Sequence, residues 1–92
     1  MKEILIKYKE FLEARNKSMI YFNYIRIWLK YCEEKNIDYK NITQDIITDF
    51  FNSTKYKSET KNLYIKSTRN FYNFLGIENE WHKIKYIKTF KI

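Results

Sequence analysis

The chain has 92 residues with a single glycine, no proline and one cysteine; 45% of residues are hydrophobic, 20% aromatic and 32% charged, for a formal net charge of +7. That length fits one domain, and the apolar share is large enough to offset chain entropy, which excludes a disordered chain. Too few turn formers are present for a turn-dense β architecture, and the lone Cys32 rules out both an internal disulfide and paired-cysteine metal spacing.

Taken in chain order, Ile4, Leu5, Tyr8, Phe11 and Leu12 fall on one face of a first helix that should fade near Arg15, Asn16 and Lys17. Charges at Lys2 and Glu3 stand where a signal peptide would be apolar. Ser18 is the expected N-cap of a second, longer helix, because its hydroxyl can accept an orphan backbone N–H. There Tyr21, Tyr24, Ile25, Trp28, Leu29 and Cys32 form a stripe reaching about Glu34, with Phe22 at its border. Asn23, Arg26 and Lys30 interrupt residues 19–32, the longest apolar-looking stretch, making it too polar to span a bilayer. A soluble, reducing location is expected: the cytoplasm.

Residues 36–41 read as a loop. Thr43 is the next expected N-cap, Asp45 suits the first turn, and Ile46, Ile47, Phe50 and Phe51 are the apolar side of a short third helix. Residues 52–57 read as a polar, basic loop. Ser58 is expected to cap a fourth helix, with Glu59 at its start, Tyr64, Ile65, Thr68, Phe71, Tyr72 and Leu75 buried, and Gly76 as the left-handed stop. Beyond it, Trp81, His82, Ile84, Tyr86 and Ile87 alternate with lysines at no helical period. The expected fold is therefore all-α: a compact bundle of four helices over residues 1–76, then an extended or weakly ordered tail over 77–92.

The polar residues argue against catalysis. Asp45 with Asp49, and Glu10 with Glu13, lie on exposed helix faces, where no pocket drives carboxyl pKa values apart. His82 is the sole histidine and has no ligand partner at metal spacing, while Cys32 lies on a buried stripe. No glycine-rich phosphate loop can be built from one glycine. No enzyme, metal, cofactor or small-molecule substrate is expected. Stacking of bases on Tyr21, Tyr24, Trp28, Phe71 and Tyr72 competes with their use in the core, and their spacing favours the core.

Charge is uneven: residues 1–52 carry a net +1 and residues 53–92 a net +6. Such asymmetry suits a polyanion, although a chain crowded with Lys, Ile, Asn and Tyr, with arginine only at 15, 26 and 69, is also what an AT-rich gene encodes. Asn23, Arg26 and Lys30 on the second helix, and Asn62, Lys66, Arg69 and Asn73 on the fourth, point away from the buried stripes. Lys55, Lys57, Ser58 and Lys61 gather at the start of the fourth. Serine and lysine at helix starts suit phosphates, and Arg and Asn further along suit base edges in a major groove. An ordinary solvated face is the competing interpretation.

Residues 60–75, Thr-Lys-Asn-Leu-Tyr-Ile-Lys-Ser-Thr-Arg-Asn-Phe-Tyr-Asn-Phe-Leu, resemble the last helix of the core-binding, SAM-like domain of tyrosine recombinases and phage integrases. That family commonly reads Thr-x-Asn-x-x-Leu-x-x-Leu-Arg-x-Phe-Tyr-x-Tyr-Leu. Thr60, Asn62, Arg69, Phe71, Tyr72 and Leu75 match in place, and Ile65 and Phe74 are close substitutes. Asn16, Lys17 and Ser18 before a long helix, and Ile42, Thr43 and Ile46 opening a short one, fit the same order. Thr68 stands where the family has an apolar residue, and Tyr21 where a threonine is frequent.

The resemblance implies a half-clamp that grips one face of duplex DNA with its second and fourth helices, while a separate catalytic domain supplies the chemistry. Lys85, Tyr86, Ile87 and Lys88 resemble the linker toward that domain, and none of the tyrosines here is its nucleophile. Expected DNA contacts are Lys17, Ser18, Arg26, Lys57, Ser58, Lys61, Asn62, Lys66 and Arg69, with Asn62, Lys66 and Arg69 the candidates for sequence preference. Neighbouring recombinase protomers are possible further partners. The alternatives are a helical protein–protein interaction module, docking through the first helix or the Trp81 tail, and, less favoured, a basic membrane-surface helix.

Overall fold

A computed structural model describes residues 2–88. Four α-helices occur among them: α1 (Lys2–Ala14), α2 (Ile20–Glu34), α3 (Gln44–Thr54) and α4 (Ser58–Leu75), followed by a 3-10 turn at Glu80–Lys83. The fold is all-α, as expected, and the radius of gyration of 13.0 Å is that of a collapsed chain. The part of the expected tail at 89–92 lies outside the described residues.

Local chemistry sets the helix ends. Asn16 and Asn36 adopt left-handed backbone with φ of 55° and 56°, and Gly76 does so at 74°. At each, paired bonds close the helix: Lys17 N–H to Leu12 O, Ile37 N–H to Cys32 O and Ile77 N–H to Tyr72 O, at 2.9, 2.8 and 2.9 Å. Asparagine and glycine are the residues that tolerate this conformation most readily. Thr43 caps α3 as expected, accepting from Ile46 N at 3.4 Å. The Ser18 hydroxyl accepts from Ile20 N at 3.2 Å, one residue further from the helix than an ordinary cap.

Two more helix boundaries differ from expectation. Ser58 is the first residue of α4 rather than its cap; Lys57 holds the cap position in extended backbone, with no side-chain bond to the first turn. Residues 52–54, expected in a loop, continue α3, because the hydroxyls of Ser53 and Thr54 donate back to Phe50 O at 3.0 Å and so need no solvent. The turn then falls on Lys55, at φ 54°.

The core is aromatic. Trp28 of α2 stands at its centre, edge-on to Phe50 of α3 and to Trp81 of the 3-10 turn, each at 5.1 Å between ring centroids. Its indole N–H donates to the Tyr72 hydroxyl at 3.0 Å, which in turn donates to Tyr39 O at 2.6 Å. This chain ties α2 and α4 to the loop between α2 and α3. Tyr8 of α1 packs edge-on against Phe71 at 5.0 Å, and its hydroxyl accepts from Asn70 at 2.6 Å. Thr68 is fully buried with its hydroxyl bonded to Tyr64 O at 2.7 Å, which explains how a threonine takes the place of an apolar residue. Geometry of this kind adds roughly 0.5–1.5 kcal/mol per aromatic pair beyond area burial.

Trp81 changes the expected boundary at residue 76. It is fully buried and also meets Phe51 at 5.6 Å, so the segment after Gly76 folds back and completes the core of the four helices. Its turn is fixed by a reciprocal cap: Asn79 Oδ1 accepts from Trp81 N at 3.0 Å, while Asn79 N donates to His82 Nδ1 at 3.1 Å. Residues 84–88 have no regular secondary structure, as expected of a tail.

Candidate nucleic-acid interface

Helical geometry places Asn62, Lys66, Arg69 and Asn73 in one stripe, at i, i+4, i+7 and i+11, opposite the buried face of α4 that carries Ile65, Thr68, Phe71 and Tyr72. The stripe points outward as expected. It is not open.

Three of its four residues hold the C-terminal segment. Asn62 Nδ2 donates to Ile87 O at 2.8 Å, and Ile87 N donates to Asn62 Oδ1 at 2.7 Å. Arg69 donates through Nε to Trp81 O at 3.2 Å and through its terminal nitrogen to Ile84 O, and its guanidinium lies 4.8 Å from the Tyr86 ring centroid. Asn73 Oδ1 pairs with His82 Nε2 at 2.9 Å; with Nδ1 accepting a backbone N–H, the proton belongs on Nε2. The expectation of an exposed base-reading face is thus corrected for Asn62 and Arg69, whose polar atoms are engaged by the chain's own backbone. Only the three-dimensional path of the tail reveals this, since the stripe itself shows which side faces out and not what lies on it.

The other expected contacts fall around this seat. Lys66 is exposed, with its ammonium 5.8 Å from the ring centroid of Tyr21, and so spans from α4 to α2. Lys61 is half-buried, 5.6 Å from the centroid of Phe51 on α3. Lys17 and Ser18 are exposed in the loop before α2, Arg26 is exposed on α2, and Lys57 is exposed directly ahead of the half-buried Ser58. The cap residue Lys57 makes no side-chain bond to the first turn of α4, which leaves leading N–H groups of that turn without a side-chain partner. Among the described residues the one ion pair is Lys83 with Glu80, at 3.2 Å. None of the candidate cations is paired with a carboxylate of the described residues.

Elsewhere the polar groups are quiet. Burial pushes the Cys32 thiol up to about 12, which keeps it protonated and poorly nucleophilic. Burial likewise raises the Tyr8 phenol to about 12 and the Tyr64 and Tyr72 phenols further. Asp45, Asp49, Glu10 and Glu13 are exposed. Among the described residues no group of three or more His, Cys, Asp or Glu gathers at metal-binding distance, and no helix is long and apolar enough to cross a membrane. A cleft of about 580 Å³ opens between the loop before α3 and the 3-10 turn, lined by Lys40, Thr43, Asn79 and Lys83 together with Glu78 and Glu80, so its charges are mixed. Trp28, Phe71 and Tyr72 are fully buried and present no face to a base.

Compared with known proteins, the chain matches no family model, no curated protein and no solved structure. The resemblance of residues 60–75 to the recombinase helix therefore stands on those residues themselves.

Proposed function

We propose that this chain binds double-stranded DNA as the core-binding half-clamp of a tyrosine recombinase or integrase, in DNA integration and recombination, and leaves strand cleavage to a separate catalytic domain. One observation carries the reading: among the described residues, exposed cations on α2, on α4 and at the entrances to both helices have no carboxylate partner. Lys17, Lys57, Lys61 and the uncapped first turn of α4 suit phosphate oxygens, which give affinity and register. Arg26 and Lys66 suit base edges, where sequence is distinguished. Such a chain works in the cytoplasm, on the nucleoid, beside neighbouring recombinase protomers.

Titrating the labelled protein with duplex DNA tests this. Amide shifts should concentrate on Lys17, Arg26, Lys57, Lys61 and Lys66; shifts confined to α1 and α3 would defeat the proposal.

A second reading has one specific support. Ile20 and Ile27, seven residues apart on α2, are 40% and 39% exposed. Together they make an apolar strip that suits a partner helix. Association that ignores salt, with no response to DNA, would favour it.

A further inference from the structure

The main chain that sits on Asn62 and Arg69 presents the hydrogen-bonding pattern of a base edge. A carboxamide reads adenine by accepting from one N–H and donating to one acceptor. Ile87 offers Asn62 that same pair, an N–H at 2.7 Å and a carbonyl at 2.8 Å. A guanidinium reads guanine through two neighbouring acceptors. Arg69 finds two, the carbonyl oxygens of Trp81 and Ile84, with the Tyr86 ring against its plane. While Ile87 sits on the carboxamide edge of Asn62, and Trp81 and Ile84 on one edge of the Arg69 guanidinium, a base cannot take those same edges.

We infer that residues 84–88 form an autoinhibitory strap, a stand-in for base edges that competes with the duplex for Asn62 and Arg69. The inference rests on the DNA-binding reading and adds a regulatory step to it.

The strap is hinged. Its near end is fixed, because Trp81 is fully buried in the core and its carbonyl stays beside Arg69 whatever lies beyond. Its far end is lightly held. Tyr86 is 50% exposed and Ile87 37% exposed, so beyond the half-buried Ile84, which packs on the core, little apolar surface is lost when the segment lifts, and the bonds at Asn62 and the Tyr86 ring on Arg69 keep it down. Release would uncover Asn62 and the outer nitrogen of Arg69 while leaving the bundle intact. Lys85 and Lys88 travel with the strap, so lifting it does not remove their charge from the duplex. A docked strap lowers apparent affinity by the fraction of molecules in which the site is open.

The test uses the full chain and alters the strap without altering its charge. Ile87→Pro removes the N–H given to Asn62, and Tyr86→Ala removes the ring over Arg69; both positions are exposed, so the bundle should stay folded, with a melting temperature lower by no more than a few degrees. In the free wild type the Ile87 amide should be protected from exchange, and that protection should vanish when duplex DNA is added. The double variant should bind the same duplex about five- to tenfold more tightly. Wild type that binds DNA while Ile87 stays protected, or a variant that binds no more tightly, overturns the strap and leaves the DNA reading standing. Wild type that binds no duplex even at low salt overturns both.

Discussion

Asn62 and Ile87 exchange two hydrogen bonds across 25 residues of chain, the side-chain amide giving one at 2.8 Å and receiving the other at 2.7 Å. Together with the contacts of Arg69 and Asn73, this pairing makes the outward stripe of α4 a seat and not a free surface. Asn62→Ala should leave the bundle nearly as stable, with a loss of about 1 kcal/mol or less, because an exposed hydrogen bond exchanges with water at little net gain. The Ile87 amide, protected in the wild type, should exchange freely in the variant. Hydrogen exchange read at that one amide checks it.

Trp81 makes the opposite prediction. It is fully buried against Trp28 and Phe51, so Trp81→Ala should cost about 3–5 kcal/mol, a large part of the stability of a domain this small. The indole N–H has no hydrogen-bond partner, so Trp81→Phe forfeits packing alone and should cost clearly less than the alanine variant. Urea denaturation of the two variants distinguishes a core residue from a passenger of the tail.

Lys55 ends α3 in left-handed backbone, at φ 54°, and its N–H reaches Phe51 O at 3.2 Å. A side chain in that conformation is strained by about 1 kcal/mol, which glycine avoids, although glycine loses more chain entropy on folding. Lys55→Gly should therefore raise stability by about 0.5 kcal/mol, seen as a melting temperature higher by a few degrees. A drop would show that the lysine side chain holds the turn in some other way.

Stability should fall in alkali. Burial raises the Cys32 thiol from its usual 9.0 to about 12 and the Tyr8 phenol from 10.0 to about 12, and it raises Tyr64 and Tyr72 in the same direction. Above pH 9 the unfolded chain loses these protons first, so the folded state holds more protons and stability declines as pH rises. Denaturation midpoints should be level below pH 8.5 and fall between about pH 9 and pH 12, and Cys32 should resist alkylation until the chain unfolds.

The four helices and some of the signals that bound them are legible in the sequence because they are local. Thr43 caps, Gly76 stops, and the apolar spacings of α1, α2 and α4 mark the faces that the structure buries. Asn16 and Asn36 carried an equally local signal, since asparagine tolerates left-handed backbone. The extension of α3 through Thr54 was hidden by polar composition: Ser53 and Thr54 look like loop residues until their hydroxyls turn back on the helix. Trp81 could not be placed, because nothing in residues 81–88 has a period and its partners, Trp28 and Phe51, are 30 or more residues away. The site was half legible for the same reason. Spacing shows that Asn62, Lys66, Arg69 and Asn73 share a side, while the strap over three of them is a tertiary event.

The claim beneath the functional reading is that unneutralised cations on α2 and α4 meet a phosphate backbone, and equilibrium binding to duplex DNA over a series of salt concentrations measures it directly. Neutralising about six phosphates predicts a straight log–log plot of association constant against salt with a slope of roughly −5. A flat plot, or no association at low salt, would contradict it.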